Sequence, residues 1–368
     1  MTVHRRGRPG AILALVTVVV LALSACSAGA PSTSATGTAS ASAGSAAPGE
    51  SNAPATMPPA EQDSITFGIS AIDPHQFQLQ LALDAGLFEK YGIKAQGTYF
   101  DGSQKTLQAL LAGQIDFATS TSSQTITTLT TNTPAVDIAV MINKLPDYIY
   151  GAKGVTSADQ LKGKKVAISQ LGTQSHAEMV VGMKELGLAP TDVTMTPIGG
   201  QTARVAALEA GTVFAAPADP ALADKLTGEG FSVLVKLPEA ASQFAGSNVM
   251  VLRSYADKNP NTTLAVAAAV LEATQLPYTD LDTVVKAYAK WAQVDEAEAR
   301  ANWQAYLDSG IAQRDLRSSV EAYQNARDVL LTVNPDVKDV DLSKAFDGSF
   351  LDKLEAMGLN DELAIPKG

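Results

Sequence analysis

Hydrophobic and polar positions fall into two stretches of the same design. Ile65-Thr-Phe-Gly-Ile-Ser70 is a short apolar run of the kind a buried strand needs. From Gln78 to Lys90, apolar residues at Leu79, Leu83, Leu87 and Phe88 form a stripe at helical spacing, which Gly92 ends. A second strand is expected to finish at Tyr99-Phe100. Asp101-Gly102-Ser103 then turns the chain and supplies a helix N-cap; Leu107, Leu110 and Leu111 line the next helix, closed by Gly113. Ile115-Asp-Phe-Ala118 is the third strand expected.

The same order recurs further on. Lys165-Val-Ala-Ile168 reads as a strand, Met179, Val180, Met183 and Leu186 mark a helix stopped at Gly187, and Val193-Thr-Met-Thr-Pro197 is a strand running into Gly199-Gly200. Val205 and Leu208 sit in the next helix, closed by Gly211, and Val213-Phe-Ala-Ala216 follows as a strand. Leu110-Leu-Ala-Gly-Gln-Ile-Asp-Phe-Ala118 and Leu208-Glu-Ala-Gly-Thr-Val-Phe-Ala-Ala216 are the nearest echo of one half in the other. Strands alternating with helices predict parallel sheets with right-handed crossovers. The fold class is therefore α/β, with two lobes that are each a small, mainly parallel sheet flanked by helices. From Tyr255 onward the pattern is mostly helical, and Trp291, Trp303, Tyr306 and Phe346 are expected in its core. Leu264 to Leu276 is rich in Ala and Val but short of the about 20 apolar residues that cross a bilayer.

The N-terminus differs in kind. Arg5, Arg6 and Arg8 precede an uncharged, largely apolar run from Ala11 to Ala25, the layout of a secretory signal. The run ends at Leu23-Ser24-Ala25-Cys26, which resembles the bacterial lipobox, in which the cysteine is lipidated and becomes the mature N-terminus. Residues 1–25 are thus expected to be a lipoprotein signal peptide and Cys26 the lipidation site. Residues 26–63 are almost all Ser, Ala, Thr, Gly and Pro, too poor in apolar surface to order themselves, and are expected to act as a disordered tether.

Cys26 is the only cysteine, so no internal disulfide forms. Removing Arg5, Arg6 and Arg8 with the signal takes the formal charge from −11 to −14, a balance that argues against nucleic acid as a partner.

Five segments carry a family resemblance: Gly86-Leu-Phe-Glu-Lys-Tyr-Gly-Ile93, Leu110 to Ala118, Asp159-Gln-Leu-Lys-Gly-Lys-Lys-Val166, Gly187-Leu-Ala-Pro-Thr-Asp-Val193 and Ala207-Leu-Glu-Ala-Gly211. Their order and spacing resemble the sulfonate, nitrate, taurine and thiamine-pyrimidine group of ABC-importer substrate-binding proteins. The resemblance runs from residue 65 to 280 and continues weakly to the end. It implies a type II periplasmic-binding-protein fold, with lobe 1 at 64–147 and 249–368 and lobe 2 at 148–248. The chain would cross near Tyr148-Ile-Tyr150 and return near Asn248-Val-Met250, with Tyr148, Tyr150 and Asn248 as hinge residues and either tyrosine able to close over a ligand. The family's second half usually carries an Asp where Phe214 stands here, a difference expected to alter local loop geometry.

In open α/β sheets ligands sit at the carboxyl ends of the strands, beside helix N-termini. That rule selects Ser70, Asp73, His75, Asp101, Ser103, Thr119 and Ser120 in the first lobe, and Gln170, Gly172, Thr173, Gln174, Ser175, Gly200, Gln201 and Asp219 in the second. The loops are rich in Gly, Ser, Thr and Gln, which offer backbone N–H groups and hydroxyls to an anion at a helix start. Leu171-Gly-Thr-Gln-Ser175 is read equally as such a site and as a cap by Thr173 or Ser175. Asp73 and Asp219, in opposite lobes, either pair with an amine on the ligand or cap the chain. His75 and His176 donate to an oxyanion or are merely packed; Arg204 is a bidentate clamp or solvated.

The resemblance implies capture of a small polar solute, anionic or zwitterionic, for delivery to an ABC permease and its ATPase. The protein would be a monomer, lipid-anchored outside the membrane, with no cofactor and no metal. An aromatic or thiamine-pyrimidine ligand is the alternative within the same fold. A synthase of the pyrimidine branch is the enzyme alternative; its type uses a cysteine-rich iron-binding segment, which a single cysteine does not supply.

Overall fold

The computed structural model describes residues 57–100, 102–239 and 243–366. In chain order the strands are β1 (Ser64–Ile69), β2 (Lys94–Tyr99), β3 (Phe117–Thr121), β4 (Ala135–Val140), β5 (Tyr148–Gly151), β6 (Lys165–Ile168), β7 (Thr194–Pro197), β8 (Ala215–Ala218), β9 (Ser232–Lys236) and β10 (Ser247–Leu252). They form two five-stranded sheets, β2-β1-β3-β10-β4 and β7-β6-β8-β5-β9. The sheets are parallel around β1 and β6 and antiparallel around β10 and β5, the strands next to the two chain crossings. The shared order is the physical counterpart of the repeated sequence pattern.

Helices α1 (Gln78–Asp84), α2 (Leu87–Lys90), α3 (Ser103–Leu111) and α4 (Ser122–Thr128) serve the first sheet; α5 (Gln174–Glu185), α6 (Gln201–Glu209) and α7 (Ala223–Gly228) serve the second. After β10 come α8 (Arg253–Lys258), α9 (Pro260–Thr279), α10 (Leu281–Ala292), α11 (Glu296–Asp308), α12 (Val320–Leu330), α13 (Ser349–Ala356) and α14 (Leu359–Glu362). The unbroken apolar stretch of α9 is buried from Leu264 to Leu271 beneath the first sheet. Among the described residues no helix is long and apolar enough to cross a membrane. Trp303 and Tyr306 are buried, and Trp291 and Phe346 pack against the cores, as their spacing predicts.

Several elements depart from the sequence-based expectation. The helix expected over Gln78 to Lys90 is two helices, because Gly86 sits at φ 68°, a left-handed conformation that ends α1. Both third strands start two residues late, at Phe117 and Ala215. In the first lobe the preceding Asp116 is spent on a turn: its Oδ2 accepts from Thr66 N at 2.7 Å and from Thr66 Oγ1 at 2.8 Å. Phe214 occupies the matching place in the second lobe and lies under the Lys164 ammonium, 4.9 Å from the ring centre. A carboxylate staple has been exchanged for a cation–π contact.

The tether was expected to reach residue 63, but residues 57–63 are docked. Met57 and Ala60 pack on the first core, and the Glu61 carboxylate accepts from Asn261 N at 3.0 Å and Thr262 N at 2.8 Å, capping the start of α9. Free N–H groups at a helix start favour an anion there, which turns the end of a polar segment into part of the fold. Cys26 and the signal segment lie outside the described residues.

The expected assignment of 249–368 to lobe 1 also divides. Helices α9, α10, α11 and α13 pack there, but Ala322, Tyr323, Ala326, Val329 and Leu330 of α12 join the second core. The helix touches both α4 and α5, so it bridges the lobes. Two chain crossings lie beside it. They run antiparallel, with Met141 N donating to Ser247 O at 2.8 Å and Gly246 N to Ile142 O at 3.0 Å. A Cβ at Gly246 would lie 2.6 Å from Ile142 Cγ1, so glycine is what lets the two crossings touch.

Candidate binding site

A cleft of about 500 Å³ opens between the two lobes, within the range of small-molecule sites, roughly 300–1,000 Å³. Its first wall comes from the turn after β1 (Ser70, Asp73, His75 and Gln76), the end of β2 (Tyr99), the start of α3 (Gly102 and Ser103) and the end of β3 (Thr121). The opposite wall is the start of α5 (Thr173, Gln174, Ser175 and Glu178), the start of α6 (Gly200 to Arg204), Asp219 after β8, and Asp147 from the crossing. Strand ends and helix N-termini from both halves thus converge on one space, as the parallel topology requires.

Of the residues chosen from sequence, Ser70, Asp73, His75, Ser103, Thr173, Gln174, Ser175, Gly200, Gln201 and Asp219 line the cleft. Asp101 lies outside the described residues. Thr119 and Ser120 do not line it: both are buried, Thr119 Oγ1 donating to Gln76 Oε1 at 2.8 Å and Ser120 Oγ to Gln124 Oε1 at 2.6 Å. Thr119 Oγ1 also accepts from Ser70 N at 2.9 Å, so it positions the wall rather than forming it. Gln170 and Gly172 are outside the lining as well. Gly172, at φ 78°, makes the bend that lets Ser175 Oγ accept from Ser169 N at 2.8 Å and Thr173 Oγ1 donate to Gln170 O at 2.7 Å.

The expected hinge residues have other work. Asn248 is buried and donates to Asp137 Oδ2 at 2.7 Å. Tyr148 and Tyr150 do not face the cleft; the Tyr150 hydroxyl donates to Asp219 O at 3.1 Å and so fixes a loop that does. His176 accepts from Gly172 N at 3.4 Å, and burial pushes its imidazole down toward the neutral form, leaving no cation for an oxyanion. Arg204 is neither solvated nor free. Its Nε donates to Pro217 O and its NH1 to Gly199 O, both at 3.2 Å, and NH2 lies 3.8 Å from Asp147 Oδ2.

The floor is acidic. Asp73, Asp147, Glu178 and Asp219 meet there with one guanidinium and one imidazole. Burial raises the Asp73 carboxyl to about 8, with the charge of Asp219 adding to it. Burial also raises Asp147, Glu178 and Asp219. Asp147 and Glu178 hydrogen-bond to each other, while Arg204 favours the charge on both. Burial pushes His75 down to about 4, so it stands neutral near pH 7 although Asp219 and Glu178 pull the other way. Asp147 and Glu178 were not singled out from sequence, because Glu178 follows an ordinary helix start and Asp147 sits in a connection. Among the described residues no group of three or more His, Cys, Asp or Glu is arranged to hold a metal ion.

The fold is shared with solved binding proteins. The nitrate-binding protein NrtA from Synechocystis PCC 6803 superposes with a TM-score of 0.69 at 14% identity, over 84% of this chain and 93% of that one. The alkanesulfonate-binding protein SsuA from Xanthomonas axonopodis pv. citri, bound to MOPS, gives 0.63 at 21% identity, over 78% and 99%. SsuA from Escherichia coli gives 0.64 at 21%, over 77% and 92%. No curated protein sequence matches significantly. The NMT1/THI5-like family model matches residues 74–280, more than half of the chain and nearly all of both sheets. The chain accordingly has the two-lobed periplasmic-binding-protein fold of the sulfonate- and nitrate-binding proteins and belongs to the NMT1/THI5-like family.

Proposed function

We propose that the protein captures a small polar solute between its lobes outside the membrane and hands it to an ABC permease and its ATPase. The observation that carries this reading is the inter-lobe cleft, whose walls come in comparable share from both sheets. A ligand touching both walls stabilises the closed arrangement, and two antiparallel crossings are the kind of hinge that closure uses. The neighbours are binding proteins for nitrate and sulfonate, which supports a non-catalytic role. The N-termini of α3, α5 and α6 all face the cleft and suit an acidic end of a solute. The acidic floor is ill-suited to a solute that is an anion throughout.

A thermal-shift screen over sulfonates, taurine, nitrate, amines, pyrimidines and aromatic acids tests this. A solute present at a hundred times its Kd should stabilise the fold by about 2.7 kcal/mol and reduce the radius of gyration in small-angle scattering. Silence toward every solute, alongside a measured turnover, would move the protein to the enzyme alternative.

The anchor reading is part of the same proposal. It rests on Leu23-Ser-Ala-Cys26 following an apolar run. With Cys26→Ser in the full-length chain, expressed in a lipoprotein-processing host, the protein should leave the membrane fraction and appear soluble. Retention in that fraction would count against lipidation. The protein is proposed to act as a monomer, with a single elution volume in the presence and absence of solute.

A further inference from the structure

The four carboxylates on the cleft floor are not equivalent. Asp147 and Glu178 hydrogen-bond to each other, and the Arg204 guanidinium, 3.8 Å from Asp147 Oδ2, favours the charge on both, so charge in that group is balanced by a neighbouring cation. Asp73 and Asp219 have no such balance. Asp219 Oδ1 accepts from Ala221 N at 2.8 Å, but only a backbone dipole meets it there. Asp73 Oδ1 is buried without a hydrogen-bond partner, with Nε2 of the neutral His75 3.3 Å away, and apart from that ring only backbone N–H groups of Gln76 and His75 favour the charge of its carboxyl. The two residues come from opposite lobes, and the charge of Asp219 helps to hold the Asp73 carboxyl in its protonated form.

A second observation comes from the first wall, which also carries Asp73. Thr121 is 5% exposed, lines the cleft at the end of β3, and its hydroxyl has no hydrogen-bond partner. Buried polar groups are hydrogen-bonded as a rule, so an orphan hydroxyl at the wall of an open cleft marks a place for a ligand atom. Helix α11 underlies the whole arrangement, touching both the Pro74–Gln76 turn and the Pro220–Leu222 turn that follow the two aspartates.

Building on the solute-capture reading, we propose that the solute carries a protonated nitrogen, an ammonium or amidinium, which is held between Asp73 of the first lobe and Asp219 of the second. The cation favours ionisation of Asp73 and so gains an attraction to each lobe, and both strengthen as the lobes approach and expel water. The charge that selects the solute therefore also drives closure. A solute lacking such a nitrogen leaves Asp73 protonated and Asp219 without a counter-charge, and the lobes stay apart. The spread of the carboxylates, which do not converge on a metal-ion position among the described residues, suits an organic cation.

Calorimetric titration of the processed chain tests this with probes paired to differ in one basic nitrogen: taurine against ethanesulfonate, 4-guanidinobutyrate against butyrate, and cadaverine against pentanol. At least one nitrogen-bearing probe should bind ten times or more tighter than its partner, and Asp73→Asn should weaken that binding at least tenfold. Asp73→Asn is neutral, as the raised carboxyl is without solute, so it should melt no lower than the parent. That control separates a lost contact from a lost fold. Asp219→Asn, which also disturbs a turn, serves as the second variant. Equal binding of both members of every pair, or no binding by any of the three nitrogen-bearing probes, overturns the proposal. So does a solute without a basic nitrogen whose affinity Asp73→Asn leaves unchanged, and in that case solute capture itself stands. Capture fails only if the broad solute screen is silent as well.

Discussion

Replacing Trp303 by alanine is expected to cost about 3–5 kcal/mol of unfolding free energy, the range for deleting a large aromatic side chain from a core. Trp303 is fully buried in α11 and meets Tyr306 edge-on at 5.4 Å, Tyr288 at 6.1 Å and Phe77 at 6.3 Å between ring centres. The cavity left behind would be lined by rigid rings on three elements, which collapse poorly. The indole N–H has no hydrogen-bond partner, so Trp303→Phe loses area but no polar contact and should cost well under half as much. The effect should reach the cleft, because Phe77 directly follows the turn that carries His75, and α11 supports that turn. Urea unfolding measures the stability, and solute affinity under native conditions reports the loosened turn. A Trp303→Ala protein as stable as the parent would show that this aromatic cluster does not hold the C-terminal helices in place.

The second large effect is expected at Asp137, on β4 beneath the bridging helix. Its Oδ1 accepts from Thr125 Oγ1 at 2.8 Å, and its Oδ2 from Asn248 Nδ2 and from the Tyr323 hydroxyl, both at 2.7 Å. One carboxyl group thus ties α4, β10 and α12 together next to the crossings. Asp137→Ala leaves three buried donors without an acceptor, at roughly 1–3 kcal/mol each before relaxation, for an expected loss of about 3–5 kcal/mol in all. Asp137→Asn keeps one acceptor oxygen and should lose less.

The same residue predicts a pH dependence. Burial raises its carboxyl from 3.8 to about 7, although the hydrogen bonds from Tyr323, Thr125 and Asn248 pull downward. Between those values the folded state holds a proton that the unfolded state has released. Stability from this group is therefore full at low pH and lost as pH rises through 7. Asp73, raised to about 8, has the same sign. The solute-free protein should melt lower at pH 8 than at pH 5, and Asp137→Asn should flatten part of that slope. A variant with the parent's full slope would show that Asp137 is ionised throughout.

Much of the architecture was legible because it depends on short-range periodicity. Gly92, Gly113, Gly187 and Gly211 end helices in both halves and all adopt positive φ, a conformation in which glycine alone is unstrained. The β6 strand falls on the expected Lys165–Ile168. The misplacements have local causes of a kind periodicity does not carry. Gly86 resembles any glycine in a helical stripe until the chain turns there, and the delayed start of β3 follows from the side chain of Asp116 reaching back to Thr66.

The site divides in the same way. Its loops followed from topology, because a parallel strand must deliver its carboxyl end and the next helix N-terminus to one edge of the sheet. Gly200 and Gln201 line the cleft for that reason. The charge of the floor did not follow. Asp73, Asp147, Glu178 and Asp219 are far apart in the chain, and each alone reads as a cap, a connection or a solvated helix face. Coulomb energy depends on distance and on exclusion of water, and neither is a property of a residue's neighbours in sequence. The sequence by itself determined two βα lobes, their punctuation and the edge at which they would bind. Only the tertiary structure decided that this edge is acidic, that Arg204 is already committed, and that α12 and α11 reach back to brace the crossings and the floor, because those outcomes rest on which distant side chains are buried together.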